Sequence, residues 1–369
     1  MTYSRSLDGL RGLAILLVLF FHYEFVVGFG WVGVQLFFVL SGYLITSLLL
    51  KEKENPLGFY LKRFYWRRTL RIFPIYYLYL AFVAAIFLLK GIPEDFPDLL
   101  PFLATYTFNF YPLVGNYSYH DLFFTHFWSL SVEEQFYLMW PIVIYFCSRN
   151  QLKYILFAII FTAPVVRYIL AEVMLSNGYD PGYTGQTVYR FTFGQWDGFA
   201  FGALIPIFGL QNSKVKTGWM MLATSLLLIA LGLWTRNDLL AAGQDSPWSA
   251  LGYQVGVLTN YQHVWTFSLW DFLFFLLLLT VVRHATVTEK IFGNAVMVYC
   301  GKISYGLYVY HWFIMMALFS YVMPKIGNQF VGLVLYLAAT FGVAMLSYYL
   351  VEQRLLALKD RRFAKPPKV

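Results

Sequence analysis

Several residues in this chain of 369 residues have the types and spacing of a group-transfer site. Arg11 and His22 are eleven positions apart. At roughly 100° per residue they share one face of a helix, about 16 Å apart along its axis. A guanidinium suits a phosphate. An imidazole, which titrates near neutrality, suits proton abstraction from a hydroxyl. The plainer alternative is a snorkelling arginine and a hydrogen-bonded structural histidine. A second group lies in the run from His126 to Pro141, where Glu133 and Glu134 are adjacent. On a helix Glu133 shares a face with His126, Ser129 and Tyr137, whereas Glu134 faces Phe127, Leu130 and Leu138. Glu133 is therefore the expected site residue and Glu134 the expected structural partner. A carboxylate here would orient His22 or raise its basicity. Otherwise the two acids would simply pair with Arg167 or a helix N-terminus.

The third candidate is basic. Arg67 and Arg71 stand at i, i+4 with Arg63 one turn earlier and Arg68 beside them. Such a face either anchors the chain to lipid headgroups or binds a phosphate-rich nucleotide such as coenzyme A. Ser41 lies near the end of a run of small and apolar residues from Gly30 to Gly42 that reads first as close helix packing. A serine in such a helix more often bonds backbone than acts as a nucleophile. Arg167, Arg190, Asp197 and His311 complete a candidate polar network, with an acid expected beside Arg167. Glu24 and Asp271 are also ionisable residues within apolar runs, and Asp271 is assigned no role.

These residues need elements to hold them. The chain is 59% hydrophobic, 21% aromatic and only 12% charged, against roughly 25% charged in soluble domains. Apolar runs near residues 8–28, 31–50, 71–89, 127–147, 153–175, 192–210, 217–235, 264–282, 299–322 and 329–351 each suit a crossing of the roughly 30 Å hydrocarbon layer. Only helices satisfy their own backbone in lipid. The expected fold is thus all-α, a polytopic transmembrane bundle of about ten spans. Ionisable groups inside such spans cost at least about 2.5–3.5 kcal/mol each, so they are functional candidates by default.

Every second loop is basic. Lys51, Lys53 and the Lys62–Arg71 block follow the second run, and Arg149, Lys153, Lys214, Lys216, Arg283 and Lys290 follow later ones. Arg354 and the tail complete the series, whereas residues 91–147 hold no Lys or Arg. The positive-inside rule then puts both termini in the cytoplasm, with Lys325 as a mild exception. Residues 1–355 form one membrane domain in this reading and 356–369 a basic tail. The first run is too long for a signal-peptide core and should remain as a helix. The net charge of +8 sits in topology clusters, which argues against nucleic acid and for membrane lipids. Cys147 and Cys300 fall at cytoplasmic helix ends, where a disulfide is not expected. No metal-ligand spacing, Walker loop or GxSxG is present. The segments 93–127 and 237–263 are candidate lids on the outer side.

In order along the chain, these segments resemble the acyltransferase-3 family of integral membrane acyltransferases. The resemblance rests on Arg11 with His22, the GVxxFFxLSGYLI segment ending at Ile45, and the Arg67-Arg68-x-x-Arg71-Ile-x-Pro74 block. It continues through WSLSVEEQFY from Trp128, Arg190 with Trp196-Asp197-Gly198, ISYGLYVYH ending at His311, and Glu352. It implies transfer of an acyl group, usually acetyl, from cytoplasmic acetyl-CoA or another acyl-CoA, with no metal. The acceptor would be a hydroxyl of an envelope polysaccharide, a lipid-linked glycan or a small product such as a macrolide. Arg67, Arg68 and Arg71 with Arg11 would hold the donor phosphates. His22, aided by Glu133 or Glu134, would act as base or acyl relay. The implied setting is a bacterial cytoplasmic (inner) membrane. The esterase-like domain frequent in the family is not seen in these residues, so a second transferase or hydrolase is expected to be separate. The rival class is a transporter or flippase using the same buried charges, and the discriminator is consumption of acyl-CoA.

Overall fold

A computed structural model of the chain describes residues 4–23, 26–114 and 123–358; Glu24 and the tail from 359 onward lie outside the described residues. Among these the regular structure is helical throughout. The N-terminal helices are α1 (Arg5–His22), α2 (Val32–Glu52), α3 (Leu57–Lys90), α4 (Phe96–Ala104) and α5 (Trp128–Phe146). The middle of the chain forms α6 (Arg149–Ser176), α7 (Pro181–Arg190), α8 (Trp196–Phe208), α9 (Thr217–Ala241) and α10 (Gln262–Arg283). Then come α11 (Ala285–Phe292), α12 (Ala295–Lys302), α13 (Ser304–Tyr321), α14 (Met323–Ile326), α15 (Gln329–Ser347) and α16 (Gln353–Leu358). A helix occupies part or all of each apolar run. Among the described residues 6 helices are long and apolar enough to cross a membrane, or up to 7 when the pair α12 and α13 is taken as one span. The chain is an integral membrane protein.

The helix ends depart from the apolar runs at informative places. The first run was expected to continue to residue 28, but α1 stops at His22. Tyr23 is extended (φ −78°, ψ 93°), and the chain turns back through residues 26–31. The reversal presses Gly30 on α1, where a Cβ would lie 2.4 Å from the Leu17 carbonyl oxygen. His22 is thus a helix-terminal residue rather than one buried within a longer span. The run at 192–210 yields only the 13 residues of α8, about 20 Å of helix. Arg190 ends the separate helix α7, and a 3-10 turn at Thr192–Gly194 intervenes. The ninth run is broken at Ile303, between α12 and α13. The tenth passes through a π-helical turn, Tyr348–Glu352, before α16.

The chain forms two compact units. One contains the chain up to Leu50 and Val132–Gly301; the other contains Lys51–Ser131 and the chain from Lys302. In the first, α8 is buried along nearly its whole length from Asp197 to Ile207 and packs on α6 and α10. Its approach to α2 is close enough to exclude side chains at the crossing. A Cβ on Gly42 would lie 2.0 Å from the Phe199 carbonyl oxygen, and one on Gly202 1.9 Å from that of Val39. Small residues permit such backbone contact where lipid supplies no hydrophobic drive. Phe38 and Phe136 stack on the Phe199 ring at 4.7 and 4.2 Å.

In the second unit α3 packs on α13 and α16, and α13 on α15. Three tyrosines of α3 secure the following segment. The hydroxyls of Tyr76, Tyr77 and Tyr79 donate to the carbonyls of Leu103, Ala104 and Phe123 at 2.8, 2.8 and 2.7 Å. The described part of the expected lid at 93–127 is therefore a pinned structure; its residues 115–122 lie outside the described set.

Candidate active site

His22 closes the last turn of α1, half-buried, with its ring 5.0 Å from that of Phe21. Arg11, also half-buried, occupies the same helix, so their axial spacing of about 16 Å follows from the helical rise. The turn after His22 is held by the segment that precedes α10. The Phe29 amide donates to the Ser249 carbonyl at 3.3 Å, and the Trp31 indole to that of Tyr253 at 2.8 Å. Tyr253 in turn donates to the Leu228 carbonyl at 2.6 Å. Its burial pushes the phenol pKa up, so it stays a neutral donor. Residues 249–253 thus fasten the chain next to His22.

Glu133 projects from the start of α5. Its Oε1 accepts short hydrogen bonds from the hydroxyls of Ser41 and Tyr137, and the Tyr137 hydroxyl also lies 3.0 Å from Ser41 Oγ. The Tyr137 contact follows from i, i+4 spacing on one helix; Ser41 comes from α2. The Trp140 indole donates to Thr46 at 2.8 Å, which fixes α5 against α2 one turn further along. Two expectations change here. Ser41 bonds a carboxylate and a phenol, not its own backbone. Glu133 accepts its hydrogen bonds from these hydroxyls and makes none to His22 among the described residues. Glu134 is half-buried beside it.

The same unit buries a charged pair. Arg167 Nη2 is 2.9 Å from Asp197 Oδ2, with both side chains 0% exposed. The guanidinium also donates to the Gly194 carbonyl at 3.0 Å and to Ser268 Oγ at 2.6 Å, and Ser268 donates to Asp197 Oδ2 at 2.6 Å. The acid beside Arg167 is Asp197, so neither Glu133 nor Glu134 is its partner. Arg190 lies outside this pair and donates to Gln186 at 3.1 Å. Gln35 donates to Gln195 at 2.7 Å, and Gln195 to the Tyr189 carbonyl at 2.6 Å. Ser268 escaped the sequence reading, and Asp271 was named there without a role. Their i, i+3 spacing on α10 was the available signal, and Asp271 is completely buried.

In the second unit the basic face of α3 is engaged by an acid. Glu52 Oε1 lies 3.2 Å from Arg63 Nη1 and 3.6 Å from Arg67 Nη1. Arg68 stands 5.8 Å over the Phe64 ring, and Arg71 is half-buried one turn beyond Arg67. His311 is fully buried, and its Nδ1 donates to the Tyr308 carbonyl at 2.6 Å. His126, named in the sequence only as a neighbour of Glu133, meets the His311 ring edge-on, with centroids 5.0 Å apart. His126 Nε2 donates to the Val309 carbonyl at 3.1 Å, and Ser129 meets the Tyr308 hydroxyl at 2.5 Å. Among the described residues no group of three or more His, Cys, Asp or Glu is placed to hold a metal ion. Cys147 and Cys300 are free thiols.

Residues 4–349 match the model of a family described as an acyltransferase domain. The chain is 28% identical over 366 residues to the peptidoglycan O-acetyltransferase OatA of Listeria monocytogenes, covering 95% of this chain and 55% of that protein. It is 29% identical over 342 residues to a protein of Staphylococcus aureus (strain MSSA476) titled "Putative O-acetyltransferase", covering 87% and 52%. The chain therefore spans about half the length of the curated relatives it matches. No solved structure matches.

Proposed function

The chain belongs to the acyltransferase domain family, and from that premise we propose that it moves an acetyl group from acetyl-CoA to a hydroxyl of an envelope glycan. The observation that carries this reading is the family match over residues 4–349, which contains every residue given a role below. Peptidoglycan is the acceptor that the name of the Listeria relative supports. The setting is the bacterial cytoplasmic membrane, with both termini and the basic face of α3 on the cytoplasmic side, as the alternation of basic loops indicates.

Arg67, Arg68 and Arg71 on α3 bind the donor's phosphates through charge-assisted hydrogen bonds. His22 takes the proton of the acceptor hydroxyl as its oxygen attacks the thioester carbonyl. The carbon–oxygen bond forms, the carbon–sulfur bond breaks, and the proton passes from His22 to the leaving thiolate. Glu133, held by Ser41 and Tyr137, sets the polarity of the site from α5, while Glu134 is the acid left to orient His22. General base catalysis of this kind contributes roughly 10²–10⁴-fold.

The test is thiol release from acetyl-CoA by the purified, detergent-solubilised protein with a panel of glycan acceptors. Acceptor-dependent release that falls about 10²-fold or more in a folded His22→Ala variant supports the base assignment. Wild-type release by that variant refutes it. Ser41→Ala separates a serine relay, which it would abolish, from direct transfer. If the protein neither releases nor binds coenzyme A, the donor assignment falls and the transporter reading takes its place.

A further inference from the structure

In the first unit, one strip of α10 carries polar atoms to which no role has been given. His263 is 6% exposed, and neither ring nitrogen has a hydrogen-bond partner among the described residues. The Leu258 carbonyl bears on the ring without meeting hydrogen-bond geometry. Thr266 Oγ1 and Trp270 Nε1 are buried atoms that also lack a partner among these residues. At about 100° per residue, positions 263, 266 and 270 fall within about 60° of one another around the helix and span about 10 Å along it. Such atoms are costly to bury unless water or a ligand completes their hydrogen bonds.

One end of the strip is open. There Asn260 and Tyr261 are both left-handed, with φ 56° and 53°. That conformation is uncommon in residues with a side chain, and such strain concentrates at ligand clamps. Two hydrogen bonds hold it: Asn260 Nδ2 donates to Asp238 at 2.8 Å, and the Trp265 indole donates to the Asn260 carbonyl at 2.9 Å. Tyr261 is 59% exposed, and its ring lies 6.4 Å from that of His263 and 6.1 Å from the exposed ring of Tyr168. At the inner end the Trp270 ring stacks on Phe29 at 6.1 Å and meets Tyr253 edge-on at 5.9 Å. Phe29 and Tyr253 belong to the chain fastened next to His22.

The atoms of the strip define what fits it. An imidazole can donate at one nitrogen and accept at the other, a threonine hydroxyl does both, and an indole N–H only donates. Ligand hydroxyls satisfy all three, whereas a metal cation has no use for an N–H donor. Helix α10 carries no Lys or Arg before Arg283, its last residue. Arg167 on the neighbouring α6 is already paired with Asp197, so nothing here is spare for a phosphate. Aromatic walls with a few placed polar groups suit a sugar ring. We propose that this strip binds a pyranose unit of the glycan acceptor. Tyr261 packs against the face of the sugar, and His263, Thr266 and Trp270 bond its hydroxyls. The identity of the glycan rests on the acetyl-transfer reading above. The course of the strip, from Tyr261 to Trp270 and Phe29, leads the sugar toward His22.

Titration calorimetry of the purified protein in detergent, with a peptide-free peptidoglycan tetrasaccharide and no acetyl-CoA, tests the site apart from the reaction. Saturable binding is expected. Thr266→Val should weaken it about fivefold and His263→Phe about tenfold, the loss of one or two net hydrogen bonds. No saturable binding by the wild type overturns the proposal, and so does wild-type affinity in both variants. Without sugar, both variants should unfold at or above the wild-type temperature, because neither loses a hydrogen bond to the protein. A clear fall would show that the fold itself uses these atoms through structural water, which also overturns the proposal. Should His263→Phe fail to fold, the nearly isosteric Thr266→Val carries the test alone. In a transfer assay the KM for the acceptor should rise by the same factors with the KM for acetyl-CoA unchanged. A protein that binds the tetrasaccharide but consumes no acetyl-CoA would refute the transfer reading and leave this site standing. Transfer with an unaltered acceptor KM in both variants would refute the site alone.

Discussion

The Arg167–Asp197 pair permits a quantitative test of how this fold holds charge in its interior. Both side chains are 0% exposed, and the guanidinium makes bonds at 2.9, 3.0 and 2.6 Å to Asp197, Gly194 and Ser268. It also lies 5.1 Å from the centre of the Phe267 ring. Asp197→Leu strands the guanidinium, and Arg167→Met strands the carboxylate. Breaking a buried pair by removing one partner costs about 3–5 kcal/mol. In a chain of this size that is a fall on the order of 5 °C in unfolding temperature. The double variant strands neither charge. It loses the bonds to Gly194 and Ser268, which cost about 1–3 kcal/mol for each group left unsatisfied, but not the penalty of an unpaired ion. The double variant should therefore be more stable than the sum of the singles predicts, by about 3 kcal/mol. Thermal unfolding in one detergent, followed by tryptophan fluorescence on all four proteins, measures the cycle. Singles that each cost less than about 1 kcal/mol and simply add would show a hydrated pair of the surface type, and the buried-pair reasoning would fail.

Two further outcomes follow from the geometry. Glu52 lies 3.2 and 3.6 Å from Arg63 and Arg67, on the face of α3 proposed to bind the donor phosphates. The pair is partly exposed, so its worth is at most about 1 kcal/mol, and Glu52→Gln should lower KM for acetyl-CoA up to about fivefold with kcat unchanged; a higher KM would contradict the assignment of this face to the donor. At the crossing of α2 and α8, Gly42→Val places a side chain against a backbone carbonyl that cannot rotate away. Overpacking of this kind costs about 1–3 kcal/mol, so the variant should lose monodispersity on size exclusion, whereas Gly218→Ala, with nothing within 4 Å of its Cβ position, should behave as wild type.

What could be read from the sequence was decided by the distance over which an interaction acts. The helical period is set by the backbone, so pairs within one helix were legible: Arg11 and His22 on α1, and Glu133 with Tyr137 on α5. Helix ends were not, because hydropathy counts residues such as Val27 and Phe29 without registering the turn that Gly30 allows. The same failure hid the shortness of α8, whose apolar run includes the 3-10 turn at Thr192–Gly194. Partners between helices were less legible still. Ser41 meets Glu133, and Asp197 meets Arg167, only because α2, α5, α6 and α8 pack as they do. Yet the sequence holds a clue to that packing in its small residues. A glycine within an apolar helix weakens it unless another backbone must come close. Gly42 and Gly202 meet that condition on opposite sides of one crossing, and Gly198, one turn before Gly202, leaves the space that Asp271 fills. The glycines of α2 and α8 therefore indicate which helices meet, and from that contact the polar partners follow.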